Sequence, residues 1–311
     1  MTQRAEPAMG VAAASSALAE FAAPPRSLWG DAFHRLSGNR LALVGASVLA
    51  VITVLAIFAP LVAPYGYQEV FSGSTIADPS WKHPFGTNLS SQDTFSRVIY
   101  GARNSLGVGV LVQGIILVIA AVVGGASALG ARWIDALLMR MTDVVYAFPD
   151  LLFVILLQQV LSGTALAGYM GGLFVVFFAI GLVGWVNLAR LIRGQMLALR
   201  ETDYVIAARA MGATQTRIIV RHMLPNTLSP VIVALTFGVP QAIFAEATLS
   251  FIGIGIRPPL ADWGNMIYDG YGPILATPWP IFFPAVALAI TFLSFQFLGD
   301  GLRDALDPRT R

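Results

Sequence analysis

The chain has 311 residues, of which 56% are hydrophobic and only 12% charged, and its mean hydropathy is +0.72. A soluble domain carries about 25% charged residues because its surface must face water, so this composition is that of a membrane protein. Cysteine is absent and the sole lysine, Lys82, stands between Trp81 and His83. That excludes disulfides, thiolate metal sites and a phosphate-binding loop of the form G-x-x-x-x-G-K-[ST].

Residues Met1 to Ser27 are alanine-rich but interrupted by Ser15, Ser16 and Glu20, which reads as a disordered tail rather than a signal peptide. Leu28, Trp29, Ala32, Phe33 and Leu36 then recur at helical spacing opposite Asp31 and Arg35. This pattern predicts a short helix on a membrane face. A crossing of the ~30 Å hydrocarbon layer needs about 20 mostly apolar residues, and six such stretches follow. They run from Leu41 to Val62, Asn104 to Ala131, Met139 to Leu161, Leu173 to Leu188, Leu228 to Gly253 and Ile281 to Leu298. Pro60 and Pro64 close the first; Ser162 to Gly172, with four glycines, is a turn after the third. The glycines of the second span (Gly107, Gly109, Gly114, Gly124 and Gly125) read as helix-contact residues. The alternating ~10-residue strands of an outer-membrane barrel are not seen.

Orientation follows from the basic residues, which collect in cytoplasmic loops. With the N-terminus inside, the inner segments hold Arg4, Arg26, Arg35, Arg40, Arg132, Arg140, Arg190, Arg193, Arg200, Arg209, Arg217, Arg221, Arg303, Arg309 and Arg311. The outer segments hold only Lys82, Arg97, Arg103 and Arg257. Both termini are therefore expected in the cytoplasm, and the pI of about 9.1 needs no nucleic-acid partner.

Two connections are too long to be simple joints. The outer segment from Pro64 to Arg103 places Phe95, Val98, Ile99 and Ala102 on one helical face, with Asp93 and Arg97 spaced for an i,i+4 pair. It reads equally as a cap on the bundle or a docking surface. The inner segment from Arg190 to Thr227 reads as two short helices. Thr202 and Asp203 start the first, Gly212 ends it, Thr214 starts the second and Pro225 stops it. Ala207, Ala208, Gly212 and Ala213 make a small-residue knob to which another backbone can come close.

The run Ile206-Ala207-Ala208-Arg209-Ala210-Met211-Gly212-Ala213 followed by Leu224-Pro225 resembles the "EAA" loop of ABC-importer permeases. Ile206 replaces the usual Glu and His222 the usual Ile. Other stretches are similar to the C-type permeases of dipeptide, oligopeptide and nickel importers. They include Asn39 to Gly45, His83 to Asn88, Ser96 to Leu106, Thr142-Asp143 with Phe148-Pro149, Glu246 to Gly255, Trp263-Gly264, and Gly299 to Pro308. Ser91-Gln92-Asp93 stands where that family's Gly-Arg-Asp is usual. The resemblance covers residues 28 to 311.

This resemblance implies an all-α membrane protein with the type I ABC-importer permease fold: six transmembrane helices and both termini cytoplasmic. The organisation expected is a disordered cytoplasmic tail (1–27), an interfacial helix, first span and extracytoplasmic segment (28–103), a permease domain (104–301) and a cytoplasmic tail (302–311). The chain is then not an enzyme and binds no cofactor; ATP and Mg are used by two cytoplasmic ABC ATPase subunits. Further expected partners are a homologous second permease subunit, an extracytoplasmic solute-binding protein and membrane lipid. Thr202, Asp203, Tyr204, Ala207, Ala208, Arg209, Gly212, Ala213 and Arg217 are the residues expected to couple to the ATPase.

Three acids in or near spans are pathway or gating candidates. Glu246 lies in the fifth span, where a carboxylate is costly unless paired or facing a cavity; it reads as a structural or gating group, or as one that meets a substrate ammonium. Asp150 follows Phe148-Pro149, and Asp143 has Arg140 three residues before it for an i,i+3 pair. His34, His83 and His222 lie in three separate segments and form no metal site. Di- or oligopeptides are the expected solute, with nickel or another small solute as the alternative on the same architecture. From other classes, a proton-coupled secondary transporter using Asp150 or Glu246, and a non-transporting scaffold, remain open.

Overall fold

The computed structural model describes residues 28–72, 76–256 and 259–307; the expected tail at 1–27 and Arg257 of the charge tally lie outside them. The regular structure among the described residues is helical, apart from one isolated bridge between Thr87 and Asp93. In chain order the helices are α1 (Leu28–Gly38), α2 (Arg40–Ile57), α3 (Ala59–Val62), α4 (Thr94–Leu129), α5 (Arg132–Tyr146), α6 (Asp150–Ser162), α7 (Leu173–Arg200), α8 (Asp203–Ala210), α9 (Gln215–Ile218), α10 (Leu224–Phe251), α11 (Trp263–Tyr271) and α12 (Trp279–Leu306). Residues 201–223 mark one end of the bundle, called the near end below; α11 marks the far end.

Local chemistry sets several of these boundaries. Asn39 caps α2, its side-chain oxygen accepting from the amides of Leu41 and Ala42 at 3.1 and 3.2 Å. The 36-residue α4 is about 54 Å long at ~1.5 Å per residue. It begins ten residues before the predicted second span and carries the Phe95–Ala102 face on its first turns. Its extra length exceeds the bilayer and projects beyond it.

The central layer is α4 against α7, with α10 laid antiparallel on α4. Small residues allow this approach. A Cβ at Gly124 of α4 would stand 2.5 Å from the carbonyl oxygen of Ala189 on α7, and one at Gly109 would meet Ile243 of α10 at 2.8 Å. Gly107, Gly114 and Gly125 face open space instead, so only some of the second-span glycines are contact residues. The most apolar stretch of α7 is 61% buried, against 17% for α12, which makes α7 the central helix and α12 peripheral. On that periphery α2 runs antiparallel to α12, with Gly45 over Ser294 and Gly301 over Ala42.

Two predicted elements differ in the structure. The third span is not one helix: α5 and α6 meet at 90° around residues 147–149, where Pro149 has no N–H to continue the ladder of α5. Among the described residues, five helices are long and apolar enough to cross a membrane, or six if the bent pair is one span. Nor does the helix after Thr214 stop at Pro225; residues 215–251 form one continuous apolar helix. A single wide turn, Ile219–Met223, absorbs the proline. Asn226 Nδ2 then donates to the His222 carbonyl at 2.6 Å and Thr227 Oγ1 to that of Met223 at 2.9 Å, which satisfies carbonyls the distorted ladder leaves over.

Candidate functional site

Between α4, α6, α7 and α10 lies a cavity of about 560 Å³, within the ~300–1,000 Å³ usual for small-molecule sites. Its walls are largely apolar, from Val154, Ile180, Val183, Ala242, Phe244 and Leu249 among others. Polar side chains are few: Gln113, Asp150, Asn187, Gln241 and Thr248. The bend before α6 puts Asp150 here, because Pro149 turns the chain and starts a new helix whose first residue is the aspartate.

At the near end, α8 turns Val205 and Ala208 into the core and exposes Tyr204, Ile206, Ala207, Arg209, Ala210 and Met211. Met211 is 82% exposed. Gly212 has φ +82°, a left-handed conformation open to glycine at little cost, and the Ala213 amide bonds back to the Ala208 carbonyl at 3.0 Å to close α8. Thr214 caps α9 by accepting from the Arg217 amide. The predicted coupling residues thus form one continuous turn–helix unit, of which Thr202 and Ala213 are half-buried and Ala208 is buried.

At the far end, Glu246 is fully buried and does not line the cavity. Its Oε1 accepts from Ser250 Oγ at 2.8 Å. Beside it is the equally buried Asp262, the N-cap of α11, in a reciprocal capping box with Asn265. Burial pushes the Asp262 carboxyl up to about 6, against the opposing hydrogen bonds from Asn265, Glu246 and Ser250. The Trp263 side chain fills the space between α4 and α10 and is 1% exposed. Its Nε1–H donates to the Val98 carbonyl at 3.1 Å, and Asn104 Nδ2 donates to that of Ala261 at 2.7 Å.

Other pairings differ from their sequence spacing. Asp93 makes no side-chain bridge to Arg97: as N-cap of α4 it accepts from the Ser96 amide at 2.7 Å and meets His83 Nδ1 at 2.9 Å. Arg97 instead donates to the Tyr67 carbonyl at 3.0 Å and Gln92 Oε1 at 2.7 Å. Asp143 bridges Arg190 of α7 at 2.7 Å rather than Arg140. Asp135 and Arg193 make a two-pronged bridge, each contact 2.6 Å. Both bridges strap α5 to α7, so α5 is held along its length while α6 departs from it at a right angle.

A family model described as "Binding-protein-dependent transport system inner membrane component" matches residues 114–311, and one for the "N-terminal TM domain of oligopeptide transport permease C" matches residues 27–79. The chain belongs to the binding-protein-dependent transport inner-membrane component family. It is 41% identical to the oligopeptide transport system permease protein OppC of Bacillus subtilis over 92% of this chain and 91% of that one. The dipeptide transport system permease protein DppC of the same organism is 42% identical over 93% of this chain and 88% of the relative. OppC of Escherichia coli (strain K12) is 36% identical over 92% and 93%. Among solved structures, the MetNI methionine ABC transporter in inward-facing conformations aligns with a TM-score of 0.55 at 21% identity, covering 68% of this chain and 96% of that one. This inner-membrane component therefore has the fold of an ABC-importer permease.

Sequence reasoning passed over Asp262 and the cavity amides of Gln113, Asn187 and Gln241. The first carried a legible sign, Asp262 with Asn265 three residues on, just ahead of an amphipathic stretch. The amides carried none, since an isolated Gln or Asn in an apolar run does not declare which face it occupies.

Proposed function

We propose that this component carries peptides, di- or oligopeptides, across the cytoplasmic membrane as half of a pathway completed by a homologous second permease. The near end faces the cytoplasm and carries both termini; the arginine bias supports this side. One of two ABC ATPases docks on residues 202–217, the pair supply the ATP and Mg chemistry, and an extracytoplasmic binding protein delivers solute to the far end. Peptides are the solute because relatives matching over most of their length are named for oligopeptides and dipeptides.

The observation that carries this reading is the near-end unit. Its inward residues Val205, Ala208 and Ile218 seat it on the bundle, and Ile206, Ala207, Ala210 and Met211 face outward beside the exposed Tyr204, Arg209 and Arg217. A rigid unit of this kind, joined to two spans that line the cavity, converts a push at the membrane face into movement of cavity walls. Coupling is reciprocal, so solute loading at the far end also biases the ATPases.

The test is reconstitution in liposomes with the second permease, the ATPases and the binding protein. ATP-dependent accumulation of a dipeptide is expected. Uptake driven by a proton gradient without ATP would replace this reading by that of a secondary carrier.

A further inference from the structure

The cavity holds one ionisable side chain, Asp150, and no described cation answers it. The bridges of His83 with Asp93, Arg190 with Asp143 and Arg193 with Asp135 are made elsewhere. Arg190, the cationic residue of α7 next after the cavity-lining Asn187, is already committed to Asp143 and lies over the Tyr146 ring at 4.8 Å. Around the same space stand the nearly buried Gln113 and the exposed Asn187 and Gln241, whose side-chain amides make no hydrogen bond among the described residues; Asp150 is exposed as well. Gln113 is only 9% exposed, and its amide is pressed over Gly238, where a Cβ would stand 2.5 Å from Oε1. A nearly buried amide without a partner is costly, and it is aimed into a space of about 560 Å³.

From this juxtaposition of Asp150 with three unpartnered amides, we infer that the cavity receives the cationic end of the solute, an ammonium group against Asp150, with the amides bonding the adjacent peptide unit. The inference rests on the peptide reading and names the group that the site recognises. Primary amides offer a donor and an acceptor side by side, which matches a peptide bond. A carboxylate without a counter-ion on the wall of a largely apolar cavity attracts a cation and repels an anion, though exposure to water weakens both effects. The sequence offered this role for Glu246 as an alternative to a structural or gating one; Glu246 lies outside the cavity and Asp150 on its wall.

The experiment uses the complete transporter in liposomes and compares the wild type with Asp150→Asn and Asp150→Glu. Ala-Ala presents a terminal ammonium alone, and N-acetyl-Ala-Lys a side-chain ammonium alone. Asp150→Asn is expected to lower uptake of at least one of them about tenfold, and Asp150→Glu to restore most of it. A fall confined to Ala-Ala assigns the terminus, one confined to N-acetyl-Ala-Lys assigns the side chain, and a fall in both assigns either ammonium. Uptake of both within twofold of wild type in Asp150→Asn overturns the inference. So does an equal loss of uptake and peptide-free ATPase turnover in both variants, which makes Asp150 structural. If the wild type carries neither peptide, the peptide reading itself fails instead.

Discussion

The two ends of the bundle are built on opposite plans. At the far end, α11 is clamped to α4 and α10 by Trp263, Asn104, Asp262 and Asn265, with polar groups buried and mostly bonded. At the near end, α8 and α9 use two or three apolar contacts to fix their orientation and leave the rest of their surface outward. The far end spends its chemistry on holding itself together, while the near end presents a shape. Stability and coupling should therefore separate: damage at the far end unfolds the protein, and damage at the near end leaves it folded and idle.

The largest expected effect is at Trp263. Truncation to alanine empties a fully buried site and removes the bond to Val98, at a cost of about 3–5 kcal/mol, read as a fall in the thermal midpoint of the detergent-solubilised protein. A loss below about 1 kcal/mol would mean that the far-end clamp does not support the bundle. Next is Asp262, whose folded value is about 6 against an ordinary 3.8. Its neutral form is the one the fold prefers, so its stabilising contribution is complete below about pH 4 and lost as pH rises through about 6. Asp262→Asn, which keeps a capping side chain, is expected to flatten the pH profile of stability across that window.

Near-end changes are expected to be small in stability. Gly212→Ala finds no atom within 4 Å of the new Cβ but must keep φ +82°, at about 1–2 kcal/mol. Arg190→Ala removes a bridge whose side chains are 35% and 56% exposed, worth about 1 kcal/mol or less. A loss of several kcal/mol from Arg190→Ala in an unfolding titration would show that the α5–α7 straps bear more than an exposed pair does.

Much of this division was legible in the residues. The spans were readable because an apolar run of this length has few other uses, and the near-end turn because Gly212 and Thr214 are boundary residues by chemistry. What escaped depends on three-dimensional competition. Asp93 had one carboxylate for both Arg97 and the bare amides of α4, and the helix start took it. Asp143 faced two arginines, and the one on α7 lay where α5 packs. Pro149 and Pro225 look alike in sequence. One bends the chain by 90°, and the other is absorbed by a wide turn with Asn226 and Thr227 behind it. The cavity emerges only when four helices are assembled, which is why Asp150 and Glu246 were not separable beforehand.

The separation of holding from coupling is tested most directly by Gly212→Trp in the reconstituted transporter, with peptide uptake and the thermal midpoint measured on the same preparation. A bulky side chain projecting from the exposed turn is expected to abolish ATP-driven uptake while the midpoint stays within a few degrees of wild type. Uptake at the wild-type rate in that variant would contradict the account, because the turn at Gly212 would then not be where the ATPase holds the permease.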